Sequence, residues 1–370
     1  MTNGKVVAAA LAVGVVGAGC GARTDLPESR RSEEVCATVG EACRTSAACC
    51  GGGTCNAGVC EAPLCTAGEA PVVLVSGAER LSGLLADGDH VYFTHYGAGG
   101  AVLRVPKAGG AIETVVPASS WTESLVADAN SLYFLDGDRV MRASKDGSGA
   151  SLVADNQEGS MSIAVDASFA YWITPADQAV RRVSKSGGTP ETLAKDEELT
   201  PDMVPRMIAD ESKLYWSASG LWSMPGFHAT PKEGGALLFV EGAATTHFVA
   251  DSMFLFWIAT NASPVRLVRT RKDGSEAKTL KEWTFDSNSD LAAGMAQDGD
   301  YLYWARGKAR SMNRVPKTGG EAVELFTSPD AINQLTVDTS CLYYMTTRVA
   351  NETGETTSSL LRAPRFLPGE

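Results

Sequence analysis

Seven positions along the chain place a polar or very small residue inside an otherwise apolar run: Gly83, Ser124, Ser162, Arg206, His247, Gly294 and Gln334. Brought together, they would form a wet mouth carrying one guanidinium, one imidazole, two hydroxyls and an amide. The segments leading into these runs are acidic, with Glu123, Glu158, Asp196, Glu197, Glu198, Asp290 and Asp330 among them. Other connections add His95, Tyr96 and a long polar excursion over 346–359. A mouth mixing Arg206 and His247 with a carboxylate rim could hold a cation, a small polar ligand or a basic peptide. The candidate ligand residues are therefore Ser124, Ser162, Arg206, His247, Gln334 and His95.

Motifs for harder chemistry are missing. The four histidines, His90, His95, His228 and His247, show no H-x-x-H or H-E-x-x-H spacing. Neither a G-x-S-x-G nucleophile turn nor a Walker phosphate loop occurs. Asp286-Ser-Asn-Ser-Asp290 opens like a calcium loop, but Leu291 replaces its turn glycine and Gln297 its bidentate glutamate. No catalytic residue, metal ligand or cofactor is assigned.

The elements that must position the mouth are written in a repeat. Seven aspartates, Asp87, Asp128, Asp166, Asp210, Asp251, Asp298 and Asp338, are each followed five and six residues later by two aromatics, as in Asp166-Ala-Ser-Phe-Ala-Tyr-Trp172. They are 38 to 47 residues apart. A period of about 40 residues in short β-rich units predicts a β-propeller with one four-stranded blade per unit. An innermost strand precedes each aspartate, with a large apolar residue three places before it and mostly Ala or Val one place before. Those two positions share a face and should pack against a neighbouring blade. The aspartate should accept amide hydrogens of the turn that follows, a structural role repeated seven times.

A third strand then ends in a basic turn, as in Arg104-Val-Pro-Lys-Ala-Gly-Gly110 and Arg314-Val-Pro-Lys-Thr-Gly-Gly320. Glycine permits the positive φ of such hairpins, and the lysines read as solvated tips. In unit four this pattern is interrupted by Gly226-Phe-His-Ala-Thr230. Unit seven shows a third strand at 359–364 and no strand signal after it, whereas residues 72–76 read as a fourth strand with no unit before them. Placing 72–76 beside unit seven closes the ring and removes two open strand edges. The expected fold is all-β: a seven-bladed propeller over 71–364, closed by an N-terminal strand.

The aromatic strands and the Lys-Asp-Gly turns resemble the YWTD propeller repeats of low-density-lipoprotein receptors and bacterial propeller lipoproteins. Those receptors have six blades and this chain counts seven, so the resemblance implies scaffold and not partner. The streptogramin lyases, a seven-bladed enzyme family, place histidines and a glutamate with magnesium on the mouth face. The surroundings of His95 and His247 do not carry that pattern.

The N-terminus supplies an address. Lys5 precedes an apolar run over 6–18 that ends in small residues, the length of a secretory h-region and too short to span a bilayer. The sequence Gly17-Ala-Gly-Cys20 resembles a bacterial lipobox, which implies a signal peptide over 1–19 and acylation of Cys20. Residues 20–35 are polar and aperiodic and read as a tether.

Six of the nine cysteines lie between Cys36 and Cys60, spaced C-x6-C-x5-CC-x4-C-x4-C, and define a small module over 36–65. With almost no large apolar side chains it depends on disulfides for order, and six cysteines allow about fifteen pairings. The spacing resembles knottin and Dickkopf modules, and that resemblance implies Cys36–Cys50, Cys43–Cys55 and Cys49–Cys60. Cys65 and Cys341 remain. Cys65 lies seven residues before the closing strand and Cys341 in the first hairpin of unit seven, so the topology predicts a bond between them. The alternative is a buried free Cys341 with Cys65 joined to the small module.

A net charge of −12 and a pI near 4.9 argue against a nucleic-acid partner. Taken together, these features lead to a lipid-anchored cell-envelope protein with a non-catalytic propeller, membrane-attached through Cys20, with a protein or small-molecule ligand. An envelope lyase or hydrolase using His247, Arg206 and His95 in the mouth is the alternative.

Overall fold

The structure, a computed structural model, describes residues 42, 54–56, 59–61, 64–95, 100–117, 122–201, 205–217, 226–241, 247–259, 264–284, 292–306, 310–349 and 356–369. Cys20, Cys36, Cys43, Cys49, Cys50, the 286–290 stretch and Tyr96 lie outside them. Of the small module, two short strands are described, Thr54–Asn56 and Val59–Glu61, with Cys55 opposite Cys60.

Seven four-stranded antiparallel sheets follow, each a blade. Six are built from consecutive strands. The seventh takes Ala331–Val337, Cys341–Val349 and Thr356–Pro364 from the C-terminal part and Val72–Ala78 as its outer strand. Val72 stands opposite Arg362 and Ala78 opposite Ser358, so the ring closes as the sequence predicts. Cys65 and Cys341 are bonded, with α-carbons 5.6 Å apart, fastening the approach to the closing strand onto the blade it completes. The 346–359 excursion is a correction. Its described parts extend the second and third strands of blade seven to nine residues each.

The aromatic pair acquires a physical meaning in the ring. Consecutive strand residues point to opposite faces, and a propeller blade has a neighbour on each face. Tyr133 of blade two packs with Ile163 and Trp172 of blade three. Phe134, one residue on, packs back against Tyr92 and Val102 of blade one. The seven hydrophobic clusters are the seven blade interfaces, the last joining Tyr343 and Leu360 to Leu81 and Phe93. Burial on both faces is why the second strand Ser131–Asp136 is buried throughout.

The repeated aspartates cap the hairpin as expected: Asp166 Oδ1 accepts from the amides of Ser168 and Phe169, both at 2.8 Å. Its other oxygen accepts from Tyr171 Oη at 2.7 Å. The lysines, read as solvated tips, are not that. Each reaches from its hairpin to the aspartate of the preceding blade: Lys232 to Asp166 at 2.9 Å, Lys272 to Asp210 at 2.8 Å, Lys317 to Asp251 at 3.6 Å and Lys107 to Asp338 at 2.6 Å. Lys145 and Asp87, Lys185 and Asp128, and Arg365 and Asp298 make the same contact. The result is a continuous ring of seven inter-blade ion pairs, the seventh cation being an arginine. The correction follows from blade stacking, which covers the hairpin tips; the Lys232 side chain is 8% exposed. In five of the pairs, those of Asp128, Asp166, Asp210, Asp298 and Asp338, burial pushes the carboxyl up, but the cation and the turn hydrogen bonds outweigh it. Asp210 is held at about 2, and Asp128, Asp166, Asp298 and Asp338 are likewise lowered.

Candidate functional site

The innermost strands surround a central channel of about 400 Å³. Its described lining includes Ser124, Ser162, Arg206, His247 and Gln334, so five of the six candidate residues meet there. His95 does not. It ends the second strand of blade one, opposite Leu81, and stands outside the described lining.

Ser124, Ser162 and Gln334 make contacts between blades that the sequence did not reveal. The inner strands carry a register irregularity at this position, for example between Glu123 and Leu125 and between Met161 and Ile163. Ser124 and Ser162 take φ of 52° and 48° there, in the left-handed region. Such a bulge frees an amide from the ladder, and the preceding blade supplies its acceptor. The amide of Ile163 donates to Ser124 Oγ at 2.9 Å and that of Met207 to Ser162 Oγ at 2.7 Å. Leu84 N–H donates to Gln334 Oε1 at 3.2 Å, which joins blade seven to blade one. The small residues have steric causes. Gly83 has φ +57°, and a Cβ there would meet Thr94 of its own blade at 2.9 Å and Leu125 of the next blade at 3.2 Å, while one on Gly294 would meet Leu335 of the next blade at 2.7 Å. A polar or tiny residue at this place thus first serves the fit between blades.

Arg206 and His247, on adjacent blades, bring a guanidinium and an imidazole to the channel. Arg206 is exposed. Among the described residues lining the channel it is the one charged side chain. His247 keeps part of its surface open to the channel, but protein surrounds most of the ring. Burial, with the Arg206 charge second, pushes its imidazole down to about 3. At neutral pH it is an uncharged hydrogen-bonding group beside a cation. The pair can orient an anionic group. Among the described residues, no three His, Cys, Asp or Glu side chains converge as metal ligands.

A second cavity, of about 330 Å³, lies in blade four beside the connection from blade three and includes Asp196 and His228 in its wall. Sequence reasoning placed Asp196 on the acidic rim and only counted His228. The available signal was the interrupted repeat at 226–230.

No protein-family model matches the sequence, and no curated protein matches it. Solved structures share the fold. The chain is similar to a streptogramin B lyase at 12% identity and TM-score 0.60, covering 79% of this chain and 96% of that one. It is similar to virginiamycin B lyase from Staphylococcus aureus at 10% identity and TM-score 0.59, covering 79% and 98%. An oligogalacturonate lyase in complex with manganese follows at 10% identity and TM-score 0.55, covering 79% and 91%. At such identities the likeness is one of fold.

Proposed function

We propose that this is a lipid-anchored cell-envelope protein whose propeller is a non-catalytic binding module, and that its channel takes a small ligand bearing an anionic group. The reading rests on Arg206, the one charged side chain among the described channel-lining residues, in a chain of net charge −12. A cation inside an acidic protein, walled by low-dielectric blades, selects negative charge locally. Neutral His247 adds hydrogen-bonding capacity beside it. Export and attachment through Cys20 complete the reading.

The alternative, an envelope lyase or hydrolase acting through His247, Arg206 and His95, draws less support. A general acid or base works best with a pKa near the working pH, and His247 sits at about 3. His95 stands outside the described channel lining.

Isothermal titration of the protein with acetate, succinate and inorganic phosphate tests the binding reading. At least one anion should bind saturably, and Arg206→Gln, a change at an exposed residue, should weaken it about 10-fold or more, as loss of a charged hydrogen bond implies. Binding unaffected by Arg206→Gln, or none for any anion, overturns the anionic-ligand assignment.

A further inference from the structure

Blade four departs from the repeat where its third strand, Gly226–Pro231, should carry an arginine three places before Lys232; Ala229 stands there. One residue earlier, His228 lies opposite Trp216 of the neighbouring strand and is 4% exposed. Its Nδ1 is 3.0 Å from Asp196 Oδ2. The same carboxylate oxygen accepts from Trp216 Nε1 at 2.7 Å, and Asp196 Oδ1 accepts from the Glu198 amide at 3.1 Å. Blade three shows what the tryptophan alone requires. There Trp172 Nε1 donates to the neutral Gln157 Oε1 at 3.2 Å. A buried carboxylate and a buried imidazole therefore exceed the needs of the fold, since an amide serves the same indole at lower desolvation cost.

The two groups also fix each other's roles. Burial pushes the Asp196 carboxyl up, but the contact with His228 and the indole hydrogen bond outweigh it and hold it below its usual value. Asp196 Oδ2 faces Nδ1, which turns Nε2 to the opposite side of the ring, away from the carboxylate. Apart from the 3.0 Å ion-pair contact at Nδ1, both ring nitrogens are buried without a hydrogen-bond partner among the described residues. An unpartnered polar atom in a buried side chain is costly unless something else satisfies it.

The cavity that His228 helps to wall carries three acidic side chains, Asp196, Glu197 and Glu198. Exposed Glu197 stands at its side. Lys195, the one cation of the wall, donates its ammonium to the Asp177 carbonyl at 2.6 Å. Leu237 and Phe239 supply the apolar part. Phe239 is 46% exposed, and its ring and the imidazole meet edge-to-face, with centroids 5.4 Å apart. A buried carboxylate, an exposed one and a half-exposed aromatic residue together match an ammonium ion on a short apolar stem.

We propose that the Asp196–His228 cavity of blade four is a binding site for a primary alkylammonium group, with the ammonium among Asp196, Glu197 and the imidazole and its alkyl stem along Leu237 and Phe239. A lysine side chain of a partner protein and a free alkylamine share this chemistry. The site is independent of the channel, which carries the opposite charge.

The test is a titration of the intact protein with n-butylammonium chloride, followed through the imidazole ¹⁵N and ¹H resonances. The signal of His228 is identified by its contact with the Trp216 ring, 5.9 Å away between centroids. One saturable shift at His228 is expected, with none from 1-butanol, the neutral analogue of similar shape. Phe239→Ala and Glu197→Gln, both at exposed residues, should each weaken binding roughly 3- to 5-fold, the scale of an exposed cation–π or ionic contact. Arg206→Gln should leave it unchanged. Tighter binding of Nα-acetyl-lysine amide than of n-butylammonium points to a protein lysine, and equal binding to a free amine. No saturable shift, an equal response to 1-butanol, or affinity untouched by both variants overturns the proposal.

Discussion

Lys107 Nζ lies 2.6 Å from Asp338 Oδ2, although the two residues belong to the first and last blades. The carbonyl of the same lysine accepts from Arg362 Nη1, also at 2.6 Å. Blade seven thus holds blade one by both ends of a single residue. The arrangement repeats as Arg104 to the Lys145 carbonyl at 2.7 Å, Arg182 to Lys232 at 2.5 Å, Arg269 to Lys317 at 3.2 Å and Arg314 to Arg365 at 2.9 Å. The Arg-x-x-Lys pattern is therefore a device for joining blades: the arginine reaches forward to the next blade and the lysine reaches back.

Replacing Lys107 by Met should leave Asp338 without its cation in a largely buried place. Loss of one partner from such a pair costs about 2–3 kcal/mol when some solvent remains, which lowers Tm by roughly 5 °C in a domain of this size. Lys281→Met, at an exposed residue of blade five, should change Tm by less than about 1 °C, as an ordinary surface substitution does. Equal melting shifts in the two variants would show that the pair contributes nothing to closure.

Acid should loosen the ring. Asp210 is held at about 2 against an ordinary 3.8, and Asp128, Asp166, Asp298 and Asp338 are also lowered. The unfolded chain then binds protons at a higher pH than the folded one. The stabilisation is present above the unfolded value of 3.8 and is lost as pH falls through the lowered folded values, about 2 for Asp210. Tm should be flat between about pH 5 and 8 and should fall steadily below about pH 4. A melting curve unchanged down to about pH 2.5 contradicts the role given to these pairs.

Peptide mapping without reductant should recover one linked fragment containing Cys65 and Cys341. Cys65→Ser should lower stability by about 2–4 kcal/mol, with about 5 as the ceiling for so long a loop in chain-entropy models. The bond encloses a separation of 276 residues. Denaturation midpoints that match with and without reductant would remove the bond as a source of stability.

Truncation separates the closing strand from what precedes it. Removal through Cys60 should leave the propeller transition in place. Removal through Ser76 takes away Leu74 and Val75, 9% and 5% exposed in the core joining blades seven and one, and opens an edge of the Thr356–Pro364 strand. Aggregation or a much lower Tm is expected for the second variant alone. Identical Tm values refute a closing role for Val72–Ala78.

Cys20→Ser should move the protein from the membrane fraction to the soluble one. Retention at the membrane to the same extent would show that the attachment lies elsewhere.

By itself, the sequence determined what local rules govern. The recurring aspartate followed by two aromatics set the number of blades, because turn chemistry and period-two alternation act within one hairpin. The orphan strand at 72–76 and the two leftover cysteines determined how the ring closes. What each polar residue contacts was decided only by tertiary structure. Lys232 in isolation is a charged hairpin tip, and Ser162 a hydroxyl facing a channel. Each becomes a contact between blades because its partner, Asp166 or the Met207 amide, lies on the adjoining sheet, 66 or 45 residues away in sequence. The ring's curvature sets those distances, and no periodicity inside a blade encodes it. For the same reason Asp196 and His228, on the connection from blade three and the third strand of blade four, are unrelated in the sequence and 3.0 Å apart in the fold.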